Sequence, residues 1–255
     1  MKEQTLKDIL QEIDRKKALI DRARPLPAII FDKLTEYLDI EWTYNSNAIE
    51  GNTLTREETM LILKEGLTVS GKSMREHLEV TNHKNAIDYL NDLLKKGEPI
   101  TQEDVKKIHY LVLEGINNRY AGNYRDVEVY ISGSDQVLPK PEVVPNLMLE
   151  FSQWLVEEQE KHYLPPVSFA ARAHYKFVAI HPFIDGNGRT GRLLMNLILM
   201  KYGYPIAIVE CETDKRKAYY AAIREANAGN IDAFERLIAQ YVNQTADKYL
   251  GSIPK

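Results

Sequence analysis

The chain has 255 residues, 44% of them apolar, a net charge of −4 and a single cysteine. This is enough apolar material for a buried core. The charge excludes a broad basic nucleic-acid surface, and one cysteine excludes an internal disulfide and any multi-cysteine metal site.

The charged N-terminus, MKEQTLKDILQEIDRKK, lacks the apolar stretch of a signal peptide. Residues 2–22 are predicted to form a helix, with Leu6, Ile9, Leu10, Ile13 and Ile20 at helical spacing. Pro25 and Pro27 break it. A second helix carries Ile29, Ile30, Leu34, Tyr37, Leu38 and Ile40, and it runs or restarts as far as Glu50, where Gly51 offers a C-cap. Taken alone, Glu50 is a solvated acid at a helix end. Thr55 and Glu58 form a capping box for a helix to about Glu65. Residues 66–73, GLTVSGKS, fit the phosphate-loop pattern G-x-x-x-x-G-K-[ST]. A true phosphate loop follows a buried strand. The preceding TREETMLILKE is a capped helix, so the stretch is predicted to be a helix–helix loop.

A helix is expected over 74–95. Its His77 and His83 are six apart and do not share a face, so they are not a helical metal pair. Thr101 caps a helix over 102–113 that carries a structural His109. Val127-Glu128-Val129-Tyr130-Ile131 alternates, Ser132–Asp135 suits a turn, and Gln136–Leu138 returns, which predicts one β-hairpin. Arg125 and Asp126, just before it, are hinge pieces without an assigned role. Helices follow over 141–161, with Phe151 and Trp154 as core, and over 166–180, with His174 as a satisfied buried histidine. The longest apolar run, Leu193–Met200, is interrupted by Asn196 and is too short to span a bilayer. A link over 205–209 leads to helices over 214–228 and 231–250, and Cys211 is a bystander. The expectation is an all-α, cytoplasmic protein with no nucleic-acid or membrane partner.

The most informative stretch is His181-Pro-Phe-Ile-Asp-Gly-Asn-Gly-Arg-Thr-Gly-Arg192. Gly186 and Gly188 let main-chain N–H groups converge, and the N-terminus of the following helix adds partial positive charge, making an anion site. Arg189 and Arg192 in its first turn would be unfavourable without an anion or an acidic partner. His181 can serve as a general base. Asp185 is a hard oxygen ligand suited to Mg²⁺ shared with a substrate phosphate, and Phe183 should point inward. Together these residues suit transfer of a phosphorus-containing group. A Ca²⁺ loop is excluded, because the bidentate glutamate required six residues after the turn glycine is Arg192 or Leu194 here.

The stretch resembles the Fic family pattern His-Pro-Phe-x-Asp/Glu-Gly-Asn-Gly-Arg-x-x-Arg at every defined position, and the resemblance extends over roughly residues 40–250. It implies a Fic helical bundle with a β-hairpin flap, in which residues 1–60 are N-terminal helices and 61–255 the catalytic core. The implied activity is AMP transfer from ATP to a Ser, Thr or Tyr hydroxyl of a target protein, which could be the protein itself. His181 would be the base, Asp185 the Mg²⁺ ligand, and Gly186, Asn187, Gly188, Arg189 and Arg192 the phosphate site. Tyr219, Tyr220 and Asn227 match adenosine-contacting positions; Tyr220 and Asn227 are taken as binding residues, Asn227 the stronger of the two. Val127–Ile131 would be the target-docking edge. Ser46, Glu50 and Gly51 match the family's inhibitory segment, which implies a Glu50–Arg192 pair that excludes the γ-phosphate and can also support AMP removal. Rivals on the same site are a γ-phosphate kinase, disfavoured by Gly188 where that branch carries Lys, and a non-catalytic nucleotide sensor, disfavoured by the intact motif. A homodimer is compatible with the sequence and not required by it.

Overall fold

Four helices begin where a hydroxyl stands three residues ahead of an acid. Thr5 with Asp8, Thr55 with Glu58, Ser73 with Glu76 and Thr101 with Asp104 each close a reciprocal capping box. Each box satisfies two main-chain donors that a helix start leaves open. The computed structural model describes residues 4–131 and 136–253. Among them are ten α-helices: α1 (Leu6–Arg22), α2 (Ala28–Ile49), α3 (Arg56–Glu65), α4 (Met74–Lys96), α5 (Gln102–Leu113), α6 (Val144–Lys161), α7 (Pro166–Ile180), α8 (Asn187–Lys201), α9 (Thr213–Asn227) and α10 (Ile231–Ser252). A short 3₁₀ turn, Pro141–Val143, precedes α6. No helix among the described residues is long and apolar enough to cross a membrane.

The bundle is built around α8. Every residue from Arg189 to Leu199 is buried, as expected of a helix enclosed by others on all sides. α7 lies against it at close range, because a Cβ at Gly191 would stand 2.6 Å from His174 Nδ1. One apolar cluster runs from Ile9 and Ile13 on α1, through Trp42, Ile87, Ile108, Phe177 and Leu197, to Val242 on α10. The phosphate-loop lookalike is a helix connection. Gly66 ends α3 with φ +63°, Ser73 starts α4, and Lys72 Nζ donates to Thr53 O at 2.5 Å.

The hairpin expectation needs correction. Among the described residues there is no β-strand. Residues 127–131 and 136–140 are two extended arms, and among the described residues no main-chain hydrogen bond joins 127–131 to 137–140. The expected turn, Ser132–Asp135, lies outside the described residues. Between the arms is a cavity of about 340 Å³. Tyr130 and Val137 are 87% and 93% exposed, so no apolar face presses the arms into a ladder. Two arms without a packed face fall short of what an independent hairpin needs.

Candidate active site

The loop after α7 is held by its own polar groups. His181 takes a left-handed conformation (φ +52°), and its N–H donates to Phe177 O at 3.0 Å, ending the helix. Phe183 is fully buried and stacks on His109, ring centroids 3.5 Å apart. Asn187 closes the loop: its Oδ1 accepts from Phe183 N at 3.0 Å and its Nδ2 donates to Phe183 O at 2.8 Å. Gly122 N donates to His109 Nδ1 at 2.9 Å, which leaves Nε2 protonated to donate to Asp185 O, also at 2.9 Å. Burial pushes His109 down to about 4, so it stays neutral and keeps both roles. His109 is structural, as expected, and its task is to fix the loop.

The His181 imidazole faces a cavity of about 400 Å³ lined also by Glu50, Gly188, Arg192, Tyr220 and Asn227. Burial first, and then the Arg125 charge, push its pKa down to about 4. The Val178 carbonyl, Glu50 and Asp185 pull the other way without outweighing them. A neutral imidazole has one ring nitrogen available to accept a proton.

Glu50 and Arg192 meet as the sequence implies. Arg192 Nη2 donates to Glu50 Oε1 at 2.7 Å and to Ser46 O at 2.8 Å, while Nε donates to Ser46 Oγ at 3.1 Å. The carboxylate contact is therefore a single bond, and Ser46 takes the rest of the fork. Tyr219, buried behind the site, presents its hydroxyl to His174 Nε2 at 2.6 Å. Arg192 is buried and its pKa raised; burial works against the charge, and Glu50 outweighs it. The carboxylate needs Gly188, because a Cβ there would stand 2.2 Å from Glu50 Oε1. An acid at the C-terminus of α2 is unfavourable by its own helix dipole. At the N-terminus of α8 it is favourable, and it answers one of the two arginines there.

The second arginine turns elsewhere. Arg189, 2% exposed, lies 3.4 Å from both Glu79 Oε1 and Asp185 Oδ1. Asp185 Oδ1 also accepts from Gly186 N at 2.6 Å, and Oδ2 accepts from Arg75 Nη2 at 2.7 Å. Burial would raise the Asp185 pKa, but Arg189, the Gly186 N–H and Arg75 hold it below the usual carboxylate range. No group of three or more metal-type side chains occurs among the described residues. One half-exposed carboxylate still fits Mg²⁺, which commonly takes one or two carboxylates and completes its shell with phosphates and water. A cation at Asp185 would have to displace Arg75.

Of the sequence-derived site residues, His181, Gly188, Arg192, Glu50, Tyr220, Asn227 and Ile131 converge on one cavity. Ser46 stands behind Arg192. Asp185 and Arg189 sit beside the cavity. The Gly186 and Asn187 side positions are directed into the loop's own packing, leaving their N–H groups at the helix start. Glu128, Val129 and Tyr130 line the cavity between the arms, and Val127 lines neither. Asn227 Nδ2 donates to Gln136 Oε1 at 2.9 Å, joining α9 to the second arm. The sequence reading missed Arg75, Glu79 and Arg125. Arg75 and Glu79 pair locally at i,i+4, but the contacts that bring these residues to the site, with Asp185, Arg189 and His181, lie far along the chain, so periodicity carries no trace of them.

Residues 99–199 match the model of the Fic/DOC family. The chain is 40% identical over 248 residues to a protein adenylyltransferase Fic from Nematostella vectensis, covering 96% of this chain and 56% of that protein. It is 43% identical over 207 residues to the one from Drosophila grimshawi, covering 81% and 42%. It thus spans about half the length of the curated relatives it matches. Fic-1 from C. elegans superposes with a TM-score of 0.86 at 34% identity, covering 96% of this chain and 72% of that one. A Fic-domain signalling protein from Bacteroides thetaiotaomicron gives 0.82 at 26% identity, with 95% of both chains covered. With the motif, the bundle and these relatives in agreement, the chain belongs to the Fic family.

Proposed function

We propose that the chain transfers AMP from ATP to a hydroxyl of a protein side chain and that Glu50 holds this activity down. The observation that carries the reading is the Glu50 carboxylate resting on Arg192 and the start of α8, in the cavity that also holds His181. A carboxylate there occupies the place a phosphate would take, and it competes for the guanidinium that would pair with that phosphate.

His181 takes the proton of the acceptor hydroxyl as its oxygen bonds the α-phosphorus, and the bond to the pyrophosphate oxygen breaks. The N–H groups at the start of α8 cradle the phosphates, and Arg189 and Arg192 offset the charge of the leaving pyrophosphate. Mg²⁺ bound at Asp185 would supply charge neutralisation between the α- and β-phosphates. Tyr220 and Asn227 bound the far side of the cavity, where the adenosine fits. The arms, 127–131 and 136–140, hold the target segment beside His181.

The test uses Glu50→Gly with Mg²⁺, cell lysate and ATP labelled at the α- or the γ-phosphate. Label on protein from α-labelled ATP alone, absent with the further substitution His181→Ala, is the expected result. Label from γ-labelled ATP alone would move the protein to phosphate transfer. No label from either, with ATP still bound, would overturn the transferase reading.

A further inference from the structure

Arg125 is an arginine buried to 2% exposure with no ion pair among the described residues. Burial lowers its pKa, with Glu128 and Glu142 acting only as counter-charges at longer range. A buried charge is costly unless its donors are met. Here main-chain oxygens from three separate segments meet them. Nε donates to His181 O at 2.8 Å, Nη1 to Val127 O at 3.3 Å and Nη2 to Pro139 O at 2.5 Å. Its own N–H donates to Pro182 O at 2.9 Å. All three side-chain nitrogens are engaged, one with the catalytic loop and one with each arm.

A rigid planar fork can reach three carbonyls at once; a flexible ammonium cannot hold that geometry. Among the described residues no strand ladder is assigned in the arms, and the guanidinium bonds both of them. We propose that Arg125 is a positioning residue that locks the His181 main chain to both arms, so that whatever the arms hold is set in register with the imidazole. The role of the arms as a target cradle rests on the reading above; the tether itself does not. This makes the two separable. The charge has a further effect on the imidazole: Arg125 favours the neutral form, while Glu50 and Asp185 favour the protonated one.

The experiment needs neither target nor transfer. Arg125→Lys and Arg125→Met are compared with wild type by melting, by NMR order parameters of segments 127–131 and 136–140, and by NMR titration of His181. In either folded variant the order parameters of both arms should fall from the rigid range, about 0.85, to below about 0.6. The His181 titration should stay in place with Arg125→Lys, which keeps the charge, and move up with Arg125→Met. A folded variant with unchanged order parameters in both arms would overturn the tether. If neither variant folds, the wild-type guanidinium decides. Separately resolved Nη protons mean that rotation is arrested by bonds on both sides, and averaged Nη signals would overturn the proposal. Failure of α-label transfer in Glu50→Gly would sink the proposed function and leave these outcomes untouched.

Discussion

At the scale of single residues, chemistry is divided by environment. His181 is kept neutral by burial and Arg125, Asp185 is kept charged by two arginines, and Arg192 is kept busy by Glu50. Removing the base should cost about 10²–10⁴ in transfer rate; His181→Ala, assayed beside its own ATP affinity, should lose transfer and keep binding. Because the His181 pKa is lowered to about 4, the base is deprotonated well below neutrality. The acid limb of the pH–rate profile should therefore fall near 4, and a limb at the ordinary imidazole value would contradict the burial argument. A cation held at Asp185, as proposed, would compete with Arg75 for Oδ2. The bridge is half-exposed, so its loss is worth little. Arg75→Ala should lower the Mn²⁺ concentration needed for half-saturation in the presence of ADP by roughly two- to fivefold, as followed by electron paramagnetic resonance. These residues differed in how readable they were. His181 to Arg192 is contiguous and its meaning follows from spacing. Arg75 and Arg125 act on partners 110 and 56 positions away, and nothing local distinguishes them from solvated charges.

At the scale of elements, what the sequence signals well is where helices start. Hydroxyl–acid pairs mark local hydrogen bonds, and the four named above each close a capping box here. The P-loop lookalike was rejected on its helical context, and the helices flanking it bear that out. The extended arms were misread because alternation of apolar residues reports a potential face, while a strand pair also needs something to pack on. Close approach is the other hidden property. Gly191 looks like any helix glycine, yet a Cβ there would stand 2.6 Å from His174 Nδ1 and 3.1 Å from Val178 Cγ1. Gly191→Ala should force α7 from α8 and destabilise the protein by about 1–3 kcal/mol. Denaturant melting measures this directly; an unchanged midpoint would mean that the helices have room to spare.

At the scale of the whole molecule, three histidines are sealed in the core: His83 and His174 pushed down to about 3 and His109 to about 4, in each case by burial first. Their folded pKa values lie below the unfolded one near 6.5. The unfolded chain thus takes up protons first as the pH falls. The stability they support is full above about 6.5 and drains away toward 4, by about 1.4 kcal/mol per group for each pH unit in that window. Melting temperature should fall steeply between pH 6.5 and 4.5, and replacing His83 with an uncharged residue of similar size should flatten the slope. The larger organisation places the C-terminus of α2 against the N-terminus of α8 and fills the junction with one carboxylate. On the proposed reading, moving that carboxylate would open the anion site without disturbing the core. The decisive measurement is the initial rate of α-label incorporation into protein by wild type and by Glu50→Gly, at matched ATP, Mg²⁺ and lysate. A rate at least about tenfold higher in Glu50→Gly, the scale of one charge-assisted hydrogen bond, is the result this account predicts. Equal rates in two folded, ATP-binding proteins would contradict it.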